Sequence, residues 1–119
     1  NPNIRVIGVE PQLGDKLQGL RSMSEGYIPP ILDFGSLDGR FLVDSRTASL
    51  MARMVVRNEG ILVGISSGAT LHVALRIAER MDSGNIVVMF SDSGWKYLPA
   101  KPWNVGTIPY QEHDDIHWW

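Results

Sequence analysis

The stretch Leu62-Val63-Gly64-Ile65-Ser66-Ser67-Gly68-Ala69-Thr70-Leu71-His72-Val73 constrains the fold more than any other part of this sequence. An apolar run meets a glycine, two serines and a second glycine, and a helical pattern then begins. That order predicts an extended segment over 61–65, turning sharply into a helix over about 68–81. The open N–H groups of a helix start suit an anionic or strongly polar partner. The same turn can equally serve as its own cap. A second unit of this kind lies downstream. Asn85-Ile86-Val87-Val88-Met89-Phe90 has the composition of a central strand, and Ser91-Asp92-Ser93-Gly94 follows it at once.

Elements of both kinds alternate along the rest of the chain. Ile4-Arg5-Val6-Ile7-Gly8-Val9 is nearly continuous in apolar character, which suits a parallel strand covered on both faces, and Glu10-Pro11 stops it. Residues 13–20 are expected to form a short helix broken by Gly14 and Gly19. Residues 21–30 read as a loop stiffened by Pro29-Pro30, and 37–43 as a weak strand or turn. Asp44-Ser45 is a helix start, and Ala48, Met51, Met54 and Val55 recur at the three- and four-residue steps of a buried stripe. Gly60 ends that helix. In the following helix Leu71, Ala74, Leu75, Ala78 and Met81 are expected inside, with Arg76, Glu79 and Arg80 in water. The crossovers are long enough for parallel pairing. The expected fold is therefore α/β: a three-layer, mostly parallel sheet with flanking helices over 1–102, followed by an aromatic and acidic tail over 103–119.

Composition excludes several classes of function. With 119 residues there is room for one domain and one core. The net charge of −2 offers no bulk attraction for nucleic acid or anionic lipid, so neither is expected as a partner. No cysteine is present, which rules out disulfides, thiolate metal sites and a cysteine nucleophile. No stretch has the length of a membrane span, and a cytoplasmic location is the default expectation. His113 and His117 sit in a tail without core periodicity, and no metal site is expected there. Asp92 and Ser93 are adjacent, which is not how a hydrolytic triad orients its members. Trp95, Lys96 and Tyr97 are expected to pack the sheet edge, Lys96 reaching water. His72 reads as a supporting or solvated side chain. Arg21, in a glycine- and proline-bearing loop, is either a surface charge or an anion clamp.

Ligands of open parallel sheets bind beyond the carboxyl ends of the strands. The two polar bends, 64–68 and 91–94, are the candidates for such a cleft. Neither is a Gly-x-Gly-x-x-Gly fingerprint or a Gly-rich loop closed by Lys-Ser or Lys-Thr, so a dinucleotide or triphosphate reader is not expected.

Val9-Glu10-Pro11, then Glu59-Gly60-Ile61-Leu62-Val63-Gly64-Ile65-Ser66-Ser67-Gly68-Ala69, then Asn85-Ile86-Val87-Val88 leading to Asp92-Ser93-Gly94-Trp95-Lys96-Tyr97-Leu98, resemble the C-terminal part of the cysteine synthases. These belong to the tryptophan-synthase-β-like, or fold-type II, pyridoxal-phosphate enzymes. The resemblance runs from about Arg5 to Leu98 and implies part of the Rossmann-like large domain of such an enzyme. It implies pyridoxal 5'-phosphate as cofactor, with Ser93 beside the pyridine nitrogen and Gly64 and Ile65 near the ring. It also implies that Ser66 shares in the substrate cleft, and that the reaction is β-replacement on a serine ester.

The stretch Leu20-Arg21-Ser22-Met23-Ser24-Glu25-Gly26-Tyr27-Ile28-Pro29 resembles the substrate-specificity region of the M-type cysteine synthases, which use O-phosphoserine and a thiocarboxylated sulfur-carrier protein. Arg21 falls on the arginine that pairs with the donor's phosphate, for which a guanidinium fork is suited. In that group a C-terminal tail folds into the active site, a part that Trp118-Trp119 would play here. The family's Schiff-base lysine, substrate-carboxylate loop and phosphate cradle have no counterpart in this sequence; Lys16, Lys96 and Lys101 lack the context. The expectation is a C-terminal portion, inactive alone, completed by the missing N-terminal half, the full enzyme being a homodimer. Cystathionine β-synthase, serine/threonine dehydratase and a non-catalytic ligand- or partner-binding α/β module are the alternatives.

Overall fold

The computed structural model describes residues 1–100 and the backbone of 116–118. Strand β1 (Ile7–Pro11) pairs in parallel with β2 (Gly39–Val43), Ile7 opposite Gly39 and Pro11 opposite Val43. Proline gives no ladder hydrogen bond and is tolerated where it stands, at the strand's end. Strand β3 (Ile116–Trp118) pairs antiparallel with the other edge of β2, giving the order β1-β2-β3. The fold is α/β, with helix α1 (Ser45–Glu59) and helix α2 (Ile65–Ala78) packed on each other and against this sheet.

In β2 Gly39, Phe41 and Val43 are buried and alternate with half-buried Arg40 and Leu42, the period of two expected when one face is covered. Phe41 and Val43 meet Leu17, Ala48, Ile65, Ala69 and Val73 in the main core. A smaller cluster joins Ala52, Val55 and Val63, with Leu71 packed against it. The two helices cross at very short range. A methyl group on Gly68 would collide with the carbonyl oxygen of Ala48 and come within 2.7 Å of the amide nitrogen of Ala52. Glycine and alanine are what allow the backbones to approach this closely.

Helix α1 begins and ends where its sequence indicates. Asp44 is extended (φ −78°, ψ 155°), and its carboxylate accepts from the Thr47 amide at 2.8 Å and the Thr47 hydroxyl at 2.6 Å. Gly60 takes the left-handed conformation (φ 68°) and donates to the Val56 carbonyl at 3.1 Å.

Five expectations are corrected. The first strand is shifted to 7–11, leaving Ile4 and Val6 exposed. Residues 13–20 form turns rather than a helix, because Gly14 and Gly19 adopt positive φ (83° and 90°). Helix α2 starts at Ile65, three residues before Gly68, so the serines lie inside its first turn. Its buried stripe is Ile65, Ala69 and Val73, with Ala74 beside it, while Leu75, Ala78 and Met81 are exposed; in α1, Met54 is exposed and Ala52 buried. A helical period fixes the spacing of a stripe, but which of two adjacent stripes faces inward depends on the neighbour. Finally, residues 85–90 join no sheet among the described residues, and Val87 is 94% exposed. A continuous apolar run marks a segment that needs a partner strand; the hydrogen bonds exist only where one is present.

Candidate functional site

The two polar bends are adjacent in space. The Gly64 amide donates to the Asp92 carbonyl at 3.0 Å, and the Gly94 amide donates to the Leu62 carbonyl at 3.1 Å. These bonds form an isolated antiparallel bridge between Val63 and Ser93. The Ser93 hydroxyl adds a third tie, donating to the Leu62 carbonyl at 3.1 Å. Three contacts thus close a gap of about thirty residues and set Ser93, only partly buried, beside the start of α2.

Gly64 is required by its surroundings. It caps α2 in extended conformation (φ −72°, ψ 166°) with no side-chain capping bond. A Cβ there would run into the Asp92 carboxylate and lie 3.0 Å from the Tyr97 ring. Asp92 in turn accepts from the Tyr97 hydroxyl at 2.7 Å and lies 3.8 Å from the Lys96 ammonium. The hydrogen bond to Asp92, seconded by burial and by the negative charge, raises the Tyr97 hydroxyl above its ordinary 10.0. Tyr97 is thereby held as a neutral donor. Trp95 is exposed rather than packed on a sheet edge, and Lys96 reaches back to Asp92.

The first turn of α2 is polar and buried. Ser66 and Ser67 are both inside, and the Ser67 hydroxyl has no hydrogen-bond partner. One oxygen of Asp92 is likewise buried and unpartnered. Thr70 closes the turn, its hydroxyl reaching the Ser67 carbonyl at 3.0 Å and the Met89 carbonyl at 3.2 Å.

The loop that carries Arg21 touches this site at Gly19. A Cβ on Gly19 would lie 3.3 Å from the Ser66 hydroxyl and 3.4 Å from the Tyr97 hydroxyl. The structure therefore brings together Gly64, Ile65, Ser66 and Ser93, and sets the loop bearing Arg21 alongside. Arg21 itself is exposed, 3.9 Å from Glu25 and with its guanidinium 5.3 Å from the centre of the Tyr27 ring. His72 lies on α2, half-buried. His113 and Trp119 lie outside the described residues; Trp118 pairs through its backbone with Gly39 and His117 with Arg40. Among the described residues no group of His, Asp or Glu could hold a metal, and no helix is long and apolar enough to cross a membrane.

Gly19, the contact between Asp92 and Tyr97 and the role of Glu10 escaped the sequence, while Ser67 was visible only as part of the bend over 64–68. A carboxylate five residues before a tyrosine across a tight turn was the one visible signal for the pair. Glu10, visible in the sequence as a strand stop and within the Val9-Glu10-Pro11 motif, is 2% exposed and ion-paired with Arg40 at 2.7 Å.

The parallel β1–β2 pair, the helices packed against the sheet and two polar bends meeting at Gly64 define an α/β domain with polar groups gathered at one helix start. The family model described as "Pyridoxal-phosphate dependent enzyme" matches residues 1–92, and the chain belongs to that family, whose cofactor is pyridoxal phosphate. Within it the chain is similar to the cysteine synthases. Cysteine synthase from Staphylococcus aureus is 35% identical over 105 residues, covering 82% of this chain and 34% of that protein. Among solved structures, cysteine synthase from Entamoeba histolytica superposes with a TM-score of 0.82 at 27% identity, over 92% of this chain and 35% of its own. O-ureido-L-serine synthase superposes with a TM-score of 0.78 at 31% identity, over 97% of this chain and 38% of its own. The chain thus spans about a third of the length of the relatives it matches.

The donor set fits the ring end of this cofactor. Ser93 offers a partly exposed neutral hydroxyl, Gly64 a backbone without a side chain, and the following turn holds the orphaned buried hydroxyl of Ser67. A cradle for the phosphate group is not among the residues described.

Proposed function

We propose that this chain is the C-terminal portion of a pyridoxal-phosphate-dependent cysteine synthase, replacing the β-substituent of O-phosphoserine or O-acetylserine by a sulfur nucleophile. The observation that carries the proposal is the bridge between Val63 and Ser93, which sets the two bends that the family likeness singles out against one another. The relatives point the same way: cysteine synthases and an O-ureido-L-serine synthase all make an amino acid with a heteroatom on the β-carbon of an alanyl skeleton.

When bound, the cofactor supplies an electron sink that makes the α-proton acidic and the β-substituent labile. The chain's own residues do the rest of the work assigned here. The Ser93 hydroxyl has one hydrogen and two lone pairs. Turned away from the Leu62 carbonyl, that hydrogen would be available to an unprotonated ring nitrogen. A neutral hydroxyl, unlike a carboxylate, does not draw a proton onto the ring, and so favours β-elimination and replacement over chemistry that needs a full carbanion sink. Gly64 and the backbone of Ile65 would line the ring, the Ile65 side chain itself lying in the core. Ser66, at the start of α2, offers a hydroxyl and a helix-start amide to the substrate. Arg21 reads the donor ester: a phosphate dianion accepts the fork of its guanidinium, whereas an acetyl group does not.

The Schiff-base lysine, the carboxylate-binding loop and the phosphate cradle belong, in this reading, to the missing N-terminal half of the enzyme. That half also supplies the strand that covers residues 85–90, and the 119 residues alone are inactive. The complete enzyme is proposed as a cytoplasmic homodimer that takes sulfur from sulfide or from a thiocarboxylated carrier protein.

Two measurements test the reading. Mixed with pyridoxal phosphate and then dialysed, the 119 residues alone should retain no Schiff-base absorbance, while the complete enzyme should stay yellow; colour retained by the segment alone defeats the division of labour. In the complete enzyme Arg21→Ala should lower kcat/KM for O-phosphoserine by about 10- to 100-fold, the range expected for a charge-assisted hydrogen bond. O-acetylserine turnover should hold. Equal losses on both esters remove Arg21 from donor choice.

A further inference from the structure

One buried ionised group takes no part in the ring-facing bends. Glu10, next to the end of β1, is almost wholly removed from water and uses both of its oxygens. Oε1 accepts from Arg40 Nη1 at 2.7 Å. Oε2 accepts from the Met23 amide at 2.7 Å and from the Ser22 hydroxyl at 3.3 Å. Ser22 is itself 1% exposed, and its hydroxyl accepts from the Ser24 amide at 3.2 Å, capping the short 3-10 turn Met23–Glu25. The sheet thus reaches up through one carboxylate and grips the chain immediately after Arg21.

Among the described residues Arg21 has no comparable hold of its own. Its contacts with Glu25 and Tyr27 are at the surface, where such pairs fix little. Two residues earlier, Gly19 rests on Ser66 and Tyr97. The backbone at Arg21 is therefore strung between Gly19, seated on the site, and Ser22-Met23, seated on Glu10.

We propose that Glu10 is a positioning residue for donor selection: it clamps Ser22 and Met23 to the sheet and so fixes where Arg21 can present its guanidinium. The inference rests on the reading of Arg21 as the residue that recognises the donor's phosphate. A carboxylate is required at position 10 because three donors converge on it from two directions. Glutamine has one acceptor oxygen, and its amide would face either Arg40 or the Met23 N–H with a second donor. Aspartate is a methylene too short to span both. Arg40 keeps the buried anion compensated, without which it would be costly to bury and would oppose a phosphate bound by the same loop.

The clamp is read first without any activity. In the complete enzyme Arg21–Ser22 and Arg57–Asn58 are both tryptic bonds, the second at the far end of α1. Glu10→Gln should speed cleavage after Arg21 by about tenfold or more relative to cleavage after Arg57, as expected when hydrogen bonds to a charge are lost. Ser22→Ala leaves the Glu10–Arg40 pair intact and should raise the same ratio several-fold, which decides the matter if Glu10→Gln fails to fold. An unchanged ratio in Ser22→Ala and in folded Glu10→Gln overturns the clamp. In the complete enzyme Glu10→Gln should raise KM for O-phosphoserine about tenfold with kcat little changed and leave KM for O-acetylserine in place. Added to Arg21→Ala it should do no further harm. A released loop with equal losses on both esters would keep the clamp and defeat the reading of Arg21.

Discussion

The two helices of this chain begin in opposite ways. Helix α1 starts on a carboxylate: Asp44 takes both the amide and the hydroxyl of Thr47, and Asp15, from a loop thirty residues earlier, takes the Ser45 amide at 2.5 Å. Helix α2 starts on a glycine, has no side-chain cap, and buries a hydroxyl that bonds to nothing. One helix start is closed by the protein's own anions. The other is set against a bend of a distant segment with its polar groups incompletely used. Local stability explains the first and not the second, and this contrast is the physical argument for placing a ligand at α2.

The comparison can be broken most sharply at Gly68. Gly68→Ala drives a methyl into the backbone of α1 and should cost about 3 kcal/mol or more in chemical denaturation. A neutral result would mean that α2 is not seated as described. Asp44→Ala should cost about 1–2 kcal/mol. Burial works to raise the Asp44 carboxyl, but the hydrogen bonds from Thr47, Arg46 and its own amide outweigh it and hold it below the ordinary 3.8. Because the folded value is the lower one, this stabilisation is present above the ordinary value and fades as pH falls below it. An acid titration of stability should accordingly be flatter for Asp44→Ala than for the parent.

Tyr97→Phe removes the hydrogen bond that holds Asp92 beside Gly64 and should cost about 1 kcal/mol at neutral pH. The folded value of Tyr97 is raised, so its contribution is present below the ordinary 10.0 and lost as pH climbs through the folded value. The parent and the variant should therefore converge in alkaline denaturation. The smallest effect is expected at Ser67. A buried hydroxyl without a partner contributes no hydrogen bond, so Ser67→Ala should change stability by less than about 0.5 kcal/mol, or raise it. A loss of a full kcal/mol would show that Ser67 is an ordinary cap, and the contrast between the two helices would shrink.

Much of this was legible in the sequence, and the residues show why. Asp44 and Gly60 mark the ends of α1 because a cap is a contact made within three or four residues. The turn at Gly64 and the bend at Ser91-Asp92-Ser93-Gly94 were readable for the same reason, and Ser93 was identified from its motif. The expected helix over 13–20 failed because two glycines prefer left-handed turns where no partner enforces a helix. Of the stripe expected inside α2, Leu71, Ala74, Leu75, Ala78 and Met81, only Ala74 is buried and Leu71 packs on the smaller cluster; the main stripe is Ile65, Ala69 and Val73, since α1 and β2 chose between them. Residues 85–90 have a strand's composition with no strand beside them among the described residues.

By itself, then, the sequence determined the start and stop of α1, the two polar bends and the family to which they belong. All of these depend on neighbours a few residues away or on motifs read in order. Tertiary structure alone decided that the bends meet through Val63 and Ser93, that Gly68 must be small because α1 lies on it, and that Glu10 grips the loop of Arg21. Those contacts join residues 12 to 31 positions apart, and only the packing of the folded chain selects among such distant partners.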